Sequence, residues 1–233
     1  MCGRFTQTIS LADVLAKYSF INLVNTDILG EERFENFNLA PSEVALTLKS
    51  DGEGVVISQE TFGTYIALGK GGSRKSLLNA RVETVLEKPT FSRRVLTSRV
   101  VVPINGYFEW KTTTPPKRPY FVHFDGGPIA SIAGIELVDR ETGEVGVVLV
   151  TTEANAEISE VHNRMPLVLS NEIVTSWLDE SLKDRDEVAE LLELAKRTTK
   201  ESSLFYYEVD KRVGSPTFKS PMAIAPVEPS TLF

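Results

Sequence analysis

The chain has 233 residues, 42% hydrophobic and 24% charged, with one cysteine, two histidines and a formal net charge of −7; this composition excludes a disordered chain or a disulfide scaffold and supports one domain over residues 1–233 that buries roughly 70–75% of its unfolded surface. No apolar run reaches the roughly 18–20 residues of a membrane-crossing helix and the N-terminus lacks the layout of a secretion signal, so the expectation is a cytoplasmic protein without a membrane partner. With no CxxC pair or ligand-spaced histidines, neither a zinc site nor a cofactor is expected.

The single cysteine stands second, in MCGRF. Initiator methionine is commonly removed ahead of a small residue, and a chain beginning at Cys2 would carry an amine and a thiol on neighbouring carbons, with ordinary pKa values near ~8 and ~8.5. Such a pair traps aldehydes. A small hydrophobe tucked under a strand is the equally weighted alternative, because free cysteine is among the most buried residue types.

From Ser10, SLADVLAKYSF places Leu11, Val14, Leu15 and Tyr18 on one helical face, with Ser10 as N-cap and Asp13 three residues on. Strand-like stretches rich in β-branched and aromatic residues follow: VALTLK, GVVISQET, TYIALG, VVVPI, YFVHF, IAGIELV and GVVLVTT. A helix is then predicted over TEANAEISEV, a strand over PLVLS, a helix from Ser170 over NEIVTSWLD, a second over EVAELLELAKR, and a late strand over LFYYEV. Strands do not alternate with crossover helices, so the predicted fold is α+β, built on a curved, mostly antiparallel, barrel-like sheet with flanking helices. GKGGSRKS lacks the ending of a phosphate-binding loop and reads as a surface loop.

The acidic average hides a reversal. Between Lys70 and Arg99, eight basic residues face two acids, which is either a solvated face or a positive groove on an acidic body. In LLNARVET, Asn79, Arg81 and Glu83 alternate with Ala80 and Val82, so an extended chain would turn all three polar groups one way, as would a half-exposed edge strand. In GYFEW, Glu109 lies between aromatics, where desolvation would raise a carboxyl pKa and suit proton transfer; a surface glutamate beside a buried ring is the alternative. His123 reads as structural. His162, between a predicted helix and a strand and beside Asn163 and Arg164, is either a functional loop residue or a loop pin.

MCGRF, FNLAPS, NARVET, RRVLTSRVVVPINGYFEW, AGIEL, TTEAN and VHNRMPLVL occur in the order and spacing of SOS response-associated peptidase (SRAP) domain proteins, which the chain resembles over nearly its whole length. The resemblance implies a DNA-damage protein whose partner is single-stranded DNA containing abasic sites, acting as a monomer and, in a prokaryote, at the nucleoid. Its terminal cysteine would form a covalent thiazolidine crosslink after the protein removes its own Met1, the self-processing peptidase activity of the family name, with weak lyase activity through the imine as a side path. It implies that Cys2, Asn79, Glu109 and His162 are catalytic: Asn79 would orient Cys2 and sugar oxygens, Glu109 would handle the amine proton, and His162 would act as acid or base on the sugar. Arg4, Arg81 and Arg164 would contact phosphates, while Pro41 and Trp110 would pack against the strand. Two departures bear on this: many relatives have Trp-Gly where Phe62-Gly63 stands, and often Val-Asn where Val213-Gly214 stands. Two other readings compete, an N-terminal-nucleophile cysteine amidase or peptidase, and a noncatalytic binder of single-stranded DNA.

Overall fold

Nearly continuous runs of largely β-branched residues, buried on both faces over 99–104, 130–135 and 146–152, form the centre of two sheets that share an interior. The computed structural model describes residues 2–26, 33–67, 74–111 and 116–227. In chain order the elements are β1 (Phe5–Ile9), α1 (Leu11–Lys17), β2 (Leu23–Val24), β3 (Phe34–Leu39), β4 (Val44–Ser50), β5 (Val55–Phe62), the paired strands β6 (Thr64–Ala67) and β7 (Arg74–Leu77), β8 (Asn79–Arg81), α2 (Arg94–Thr97), β9 (Arg99–Ile104), β10 (Gly106–Lys111), β11 (Arg118–Phe124), β12 (Ala130–Val138), β13 (Val145–Glu153), β14 (Arg164–Pro166), β15 (Val168–Leu169), α3 (Asn171–Leu178), α4 (Arg185–Glu201) and β16 (Leu204–Glu208).

The first sheet is antiparallel, in the order β16-β11-β10-β1-β3; the second runs β14-β13-β12-β9-β4-β5-β2, with β15 added to β12 and β8 to β13. The second sheet curls until β5 meets β13 in parallel at Thr61↔Gly146 and Phe62↔Val147. Contact over two residue pairs leaves a curled sheet rather than a closed barrel. Gly146 is required at this seam, because a Cβ there would strike the carbonyl of Gly63, itself at φ +85°.

The shared interior takes Phe5, Tyr107 and Val122 from the first sheet and Phe62, Val102, Ile132 and Leu149 from the second. The outer face of the second sheet packs Leu48, Val101, Ile135 and Val148 under Val14, Trp177, Val188 and Leu192 of the helices. Each such fully buried side chain contributes about 1.5–3 kcal/mol of transfer free energy. Residues 209–224 cross the outer face of the first sheet, where Val209, Val213 and Ala223 cover Phe108 and Phe121.

The predicted helices at Ser10, Ser170 and over 187–197 form as their patterns require: Ser10 and Asp13 make a reciprocal capping box, Ser170 caps α3, and Asp184 caps α4 while Val188, Leu191, Leu192 and Ala195 are buried. The helix expected over TEANAEISEV does not form. β13 continues through Thr152 and Glu153, paired with Met165 and Arg164, and residues 156–161 are turns. Buried β-branched Thr151 and Thr152 favour the ladder.

Strands β1, β3 and β10 lie outside the strand-like stretches expected from the sequence. In β1 the fully buried Gln7 interrupts the apolar pattern. Its amide donates to the carbonyls of Leu46 and Pro103 and accepts from Leu46 N, so one polar side chain fastens β1 to β4 and β9. The glycine-rich loop lies outside the described residues over 69–73, while Arg74–Ser76 are in β7. Among the described residues no helix is long and apolar enough to cross a membrane.

Candidate functional site

β1 brings the start of the chain onto β10. Phe5 pairs with Tyr107 and Thr6 with Gly106, and Phe108 N donates to Arg4 O at 2.9 Å. This ladder carries Cys2 into the interior, where it is fully buried beside Phe5, Phe62, Tyr107, Ile158 and Met165. Its Sγ lies 4.0 Å from Arg4 O.

β8 delivers Asn79 from the other side. Parallel pairing sets Asn79 opposite Leu149, with Leu149 N donating to Leu78 O at 3.0 Å. From there Asn79 Nδ2 donates to Cys2 O at 3.0 Å. Asn79 and Arg81 keep the alternation read from NARVET, but the chain turns into a 3-10 helix at Val82–Thr84, which swings Glu83 out of line with them.

Glu109 is 3% exposed. Period-two alternation on β10 turns it to the same side as Tyr107, toward the interior. Burial pushes the Cys2 thiol well above the usual cysteine range, and the negative charge of Glu109 pushes it further. The Tyr107 phenol is raised by burial, then by Cys2 and Glu109. The charge of Glu109 thus reaches both Cys2 and Tyr107, and with Met1 in place the thiol is protonated.

His162 ends the turn that replaces the expected helix. Buried Asn155 starts that turn: its Oδ1 accepts from Ile158 N at 3.1 Å, and its Nδ2 donates to Ser202 O at 3.0 Å ahead of β16. Ile158 packs in the same cluster as Cys2, and its carbonyl accepts from His162 N at 3.0 Å. The His162 ring is half-buried, and Arg164 N donates to its Nδ1 at 3.0 Å, which assigns the proton of the neutral ring to Nε2.

The expected DNA-contacting residues are not equivalent. Arg81 is exposed and, with Glu153, Ala154, Ser159, Asn163 and Arg164, lines a cleft of about 400 Å³. Arg164 is 7% exposed and engaged: its guanidinium binds both carboxylate oxygens of Glu83 at 2.8 and 3.0 Å and donates to Thr151 O at 2.7 Å. Burial would raise the Glu83 carboxyl, but the hydrogen bonds from Arg164, a backbone hydrogen bond and the charges of Arg164 and Lys196 together outweigh it and hold it below the ordinary glutamate range.

Arg4 points to the C-terminal segment, donating to Asn38 Oδ1, Val213 O and Gly214 O at 3.0, 3.0 and 3.2 Å. The Gly214 contact is made by backbone, so no side chain is needed there. Pro41 sits in a turn in which Glu43 N donates to Ala40 O and Ser42 takes φ +70°, as the residue after proline does in a type II turn. Trp110 falls on the side of β10 opposite Glu109 and packs half-buried on the outer cluster with Phe108 and Phe121. Phe62 is fully buried, edge-to-face with Phe5 at 4.9 Å, and belongs to the core rather than to a stacking surface.

Sequence reasoning passed over Tyr107, Asn155 and Gln7. Tyr107 had a usable signal, since it stands two residues before Glu109 on a strand. The same reading that singled out Glu109 places Tyr107 on its face.

Comparison with known proteins identifies the family and the fold. The SOS response associated peptidase (SRAP) family model matches residues 1–216. The abasic site processing protein YoqW of Bacillus subtilis is 28% identical over 229 residues, covering 96% of this chain and 99% of its own. The abasic site processing protein YedK of Escherichia coli is 31% identical over 194 residues, covering 81% and 85%. A crystal structure of a Bacteroides thetaiotaomicron protein superposes with a TM-score of 0.73 at 24% identity, covering 97% of this chain and all of that one, a likeness of fold.

Proposed function

Because this chain belongs to the SOS response associated peptidase (SRAP) family, we propose that it processes abasic sites in DNA, reacting in single strands through Cys2 once Met1 has been removed. The observation that carries this reading is the convergence on Cys2 of an amide that holds its carbonyl, Asn79 at 3.0 Å, and a buried acid whose charge acts on its thiol, Glu109.

The chemistry follows from those groups. The ring-opened abasic sugar exposes an aldehyde. Glu109 takes the ammonium proton that would otherwise block attack, and the freed Cys2 amine adds to the aldehyde. Glu109 then gives the proton to the hydroxyl that leaves as water, so that a protonated imine joins protein and sugar and Glu109 is again a carboxylate. The thiol, one carbon away, then adds to the imine carbon and closes a thiazolidine. Holding both nucleophiles on one residue makes the second attack intramolecular. Closure removes the imine through which β-elimination would cut the strand, so lyase activity is a weak side path. His162 acts on the sugar oxygens during ring opening and crosslink reversal, Asn79 orients Cys2 against them, and the protein works as a monomer. Exposed Arg81 supplies phosphate contact at the cleft, and Arg164 sets the cleft wall through Glu83.

A cysteine amidase opens with attack by the sulfur, whereas in the crosslinking sequence the amine opens and the thiol follows, so a thiol that burial keeps protonated while Met1 is in place is compatible with the order proposed here.

The test is incubation of the purified chain, its N-terminal residue verified by intact mass, with a single-stranded oligonucleotide carrying one abasic site. A heat-stable adduct on a denaturing gel is expected from the native chain, and none from Cys2→Ala or from a chain that keeps Met1. Equal adduct from either variant refutes the reading.

A further inference from the structure

Among the described residues, the hydroxyl of Tyr107 is fully buried and has no hydrogen-bond partner. Buried hydroxyls are nearly always satisfied, and an unsatisfied one costs stability that phenylalanine would spare. This orphan lies in the interior cluster that contains Cys2, on the side of β10 that also bears Glu109, its backbone paired with Phe5 three residues from Cys2. The other fully buried tyrosine of the core, Tyr18, is bonded to Ser131 Oγ at 3.0 Å. The fold therefore satisfies a tyrosine hydroxyl where it is only structural.

We propose that Tyr107 is a further catalytic residue, whose phenol donates a hydrogen bond to Cys2 Sγ as the sulfur becomes anionic during ring closure. This assignment rests on the crosslinking reading above. In the step, the S–H bond breaks and its proton passes to the Glu109 carboxylate; sulfur bonds the imine carbon; the C=N π pair moves to nitrogen, which takes the proton from Glu109. The phenol is unchanged at the end. Its O–H meets the charge that appears on sulfur in a site closed to water, where a fixed donor is most effective. A phenol whose own ionisation is suppressed by burial, Cys2 and Glu109 remains a donor throughout the pH range in which the enzyme works.

Removing the hydroxyl should separate the two bond-forming steps. The full chain with verified N-terminal Cys2 is incubated with an abasic single strand; imine is trapped with borohydride and closed adduct is scored by heat stability. For Tyr107→Phe, imine forms at the wild-type rate, closure slows at least tenfold, strand scission rises, and Tm stays equal or increases. Tyr18→Phe is the control and should lose Tm while closing at the wild-type rate. Wild-type closure in Tyr107→Phe overturns the assignment alone, as does a parallel loss of imine formation and Tm. A wild-type chain that forms neither imine nor adduct overturns the crosslinking reading and the assignment with it.

Discussion

Asn79 Nδ2 donates to the backbone oxygen of Cys2 at 3.0 Å, joining two residues 77 positions apart. The bond fixes the peptide that follows Cys2, so under the proposed crosslinking the Cys2 amine and thiol would be aimed by a residue of the second sheet. Asn79→Ala should slow adduct formation roughly tenfold while lowering stability by only about 1 kcal/mol, the usual net worth of one hydrogen bond. Single-turnover crosslinking alongside urea denaturation checks both. A stability loss of several kcal/mol with an unchanged rate would make Asn79 a structural residue.

The Glu83–Arg164 pair predicts a different outcome. Arg164 has a side-chain exposure of 9% and Glu83 33%, so Glu83→Ala leaves a nearly buried guanidinium without its bidentate partner. A loss of about 2–3 kcal/mol is expected from hydrogen bonds to a charged group, with weaker DNA binding as a consequence of the collapsed cleft wall. Chemical denaturation of Glu83→Ala measures it.

Arg81 should behave in the opposite way. It is exposed, so Arg81→Ala should leave Tm within a degree or so of wild type. If it neutralises one phosphate, the slope of log affinity against log salt falls by about 1. Fluorescence anisotropy with a single-stranded oligonucleotide over a salt series gives both affinity and slope.

A pH dependence arises away from the site. Lys49 Nζ bridges Glu60 and Glu136 at 2.6 and 2.7 Å. Burial and then the neighbouring Glu136 carboxyl raise Glu60 from 4.5 to about 7, while Glu136 is held low by hydrogen bonds from Glu60 and Lys49 that outweigh its burial. Between those values the folded chain holds a proton on Glu60 that the unfolded chain has released. The stabilisation is complete below the unfolded value and is lost as pH rises through about 7. Tm should fall between pH ~5 and ~8, and Glu60→Gln should flatten that part of the profile; a variant as pH-sensitive as wild type contradicts the assignment.

Asn155→Ala should destabilise by about 1–2 kcal/mol through loss of a buried turn cap. It should also slow any step that uses His162, because Ile158 and His162 hang from the turn that Asn155 starts. Combined with His162→Ala, the rate effects should be non-additive, read from single-turnover kinetics of the two single variants and the double.

Much of this molecule was written locally. The capping box at Ser10 and the 3.6-residue spacing of Val188, Leu191, Leu192 and Ala195 specify their helices without outside help. Runs rich in β-branched residues specify β4, β5, β9, β12 and β13 in the same way. The polar groups of NARVET and GYFEW were visible because core-building had no use for them. Strand β1 was not visible, since Gln7 is apolar in position but polar in kind and is satisfied only by β4 and β9.

The sequence by itself determined the sheet-rich α+β fold, the places of α1, α3 and α4 and the chemical types at Cys2, Asn79, Glu109 and His162, because each depends on residues a few positions apart. Tertiary structure decided whether those types meet. It buried Cys2 fully, set the Asn79 amide on its carbonyl and brought the charge of Glu109 to bear on its thiol. It gave Arg4 and Arg164 to protein partners and left Arg81 exposed. Charge and hydrogen bonding act through space, at separations of 77 and 81 residues for the Cys2–Asn79 and Glu83–Arg164 pairs, and local pattern carries no record of which distant group completes them.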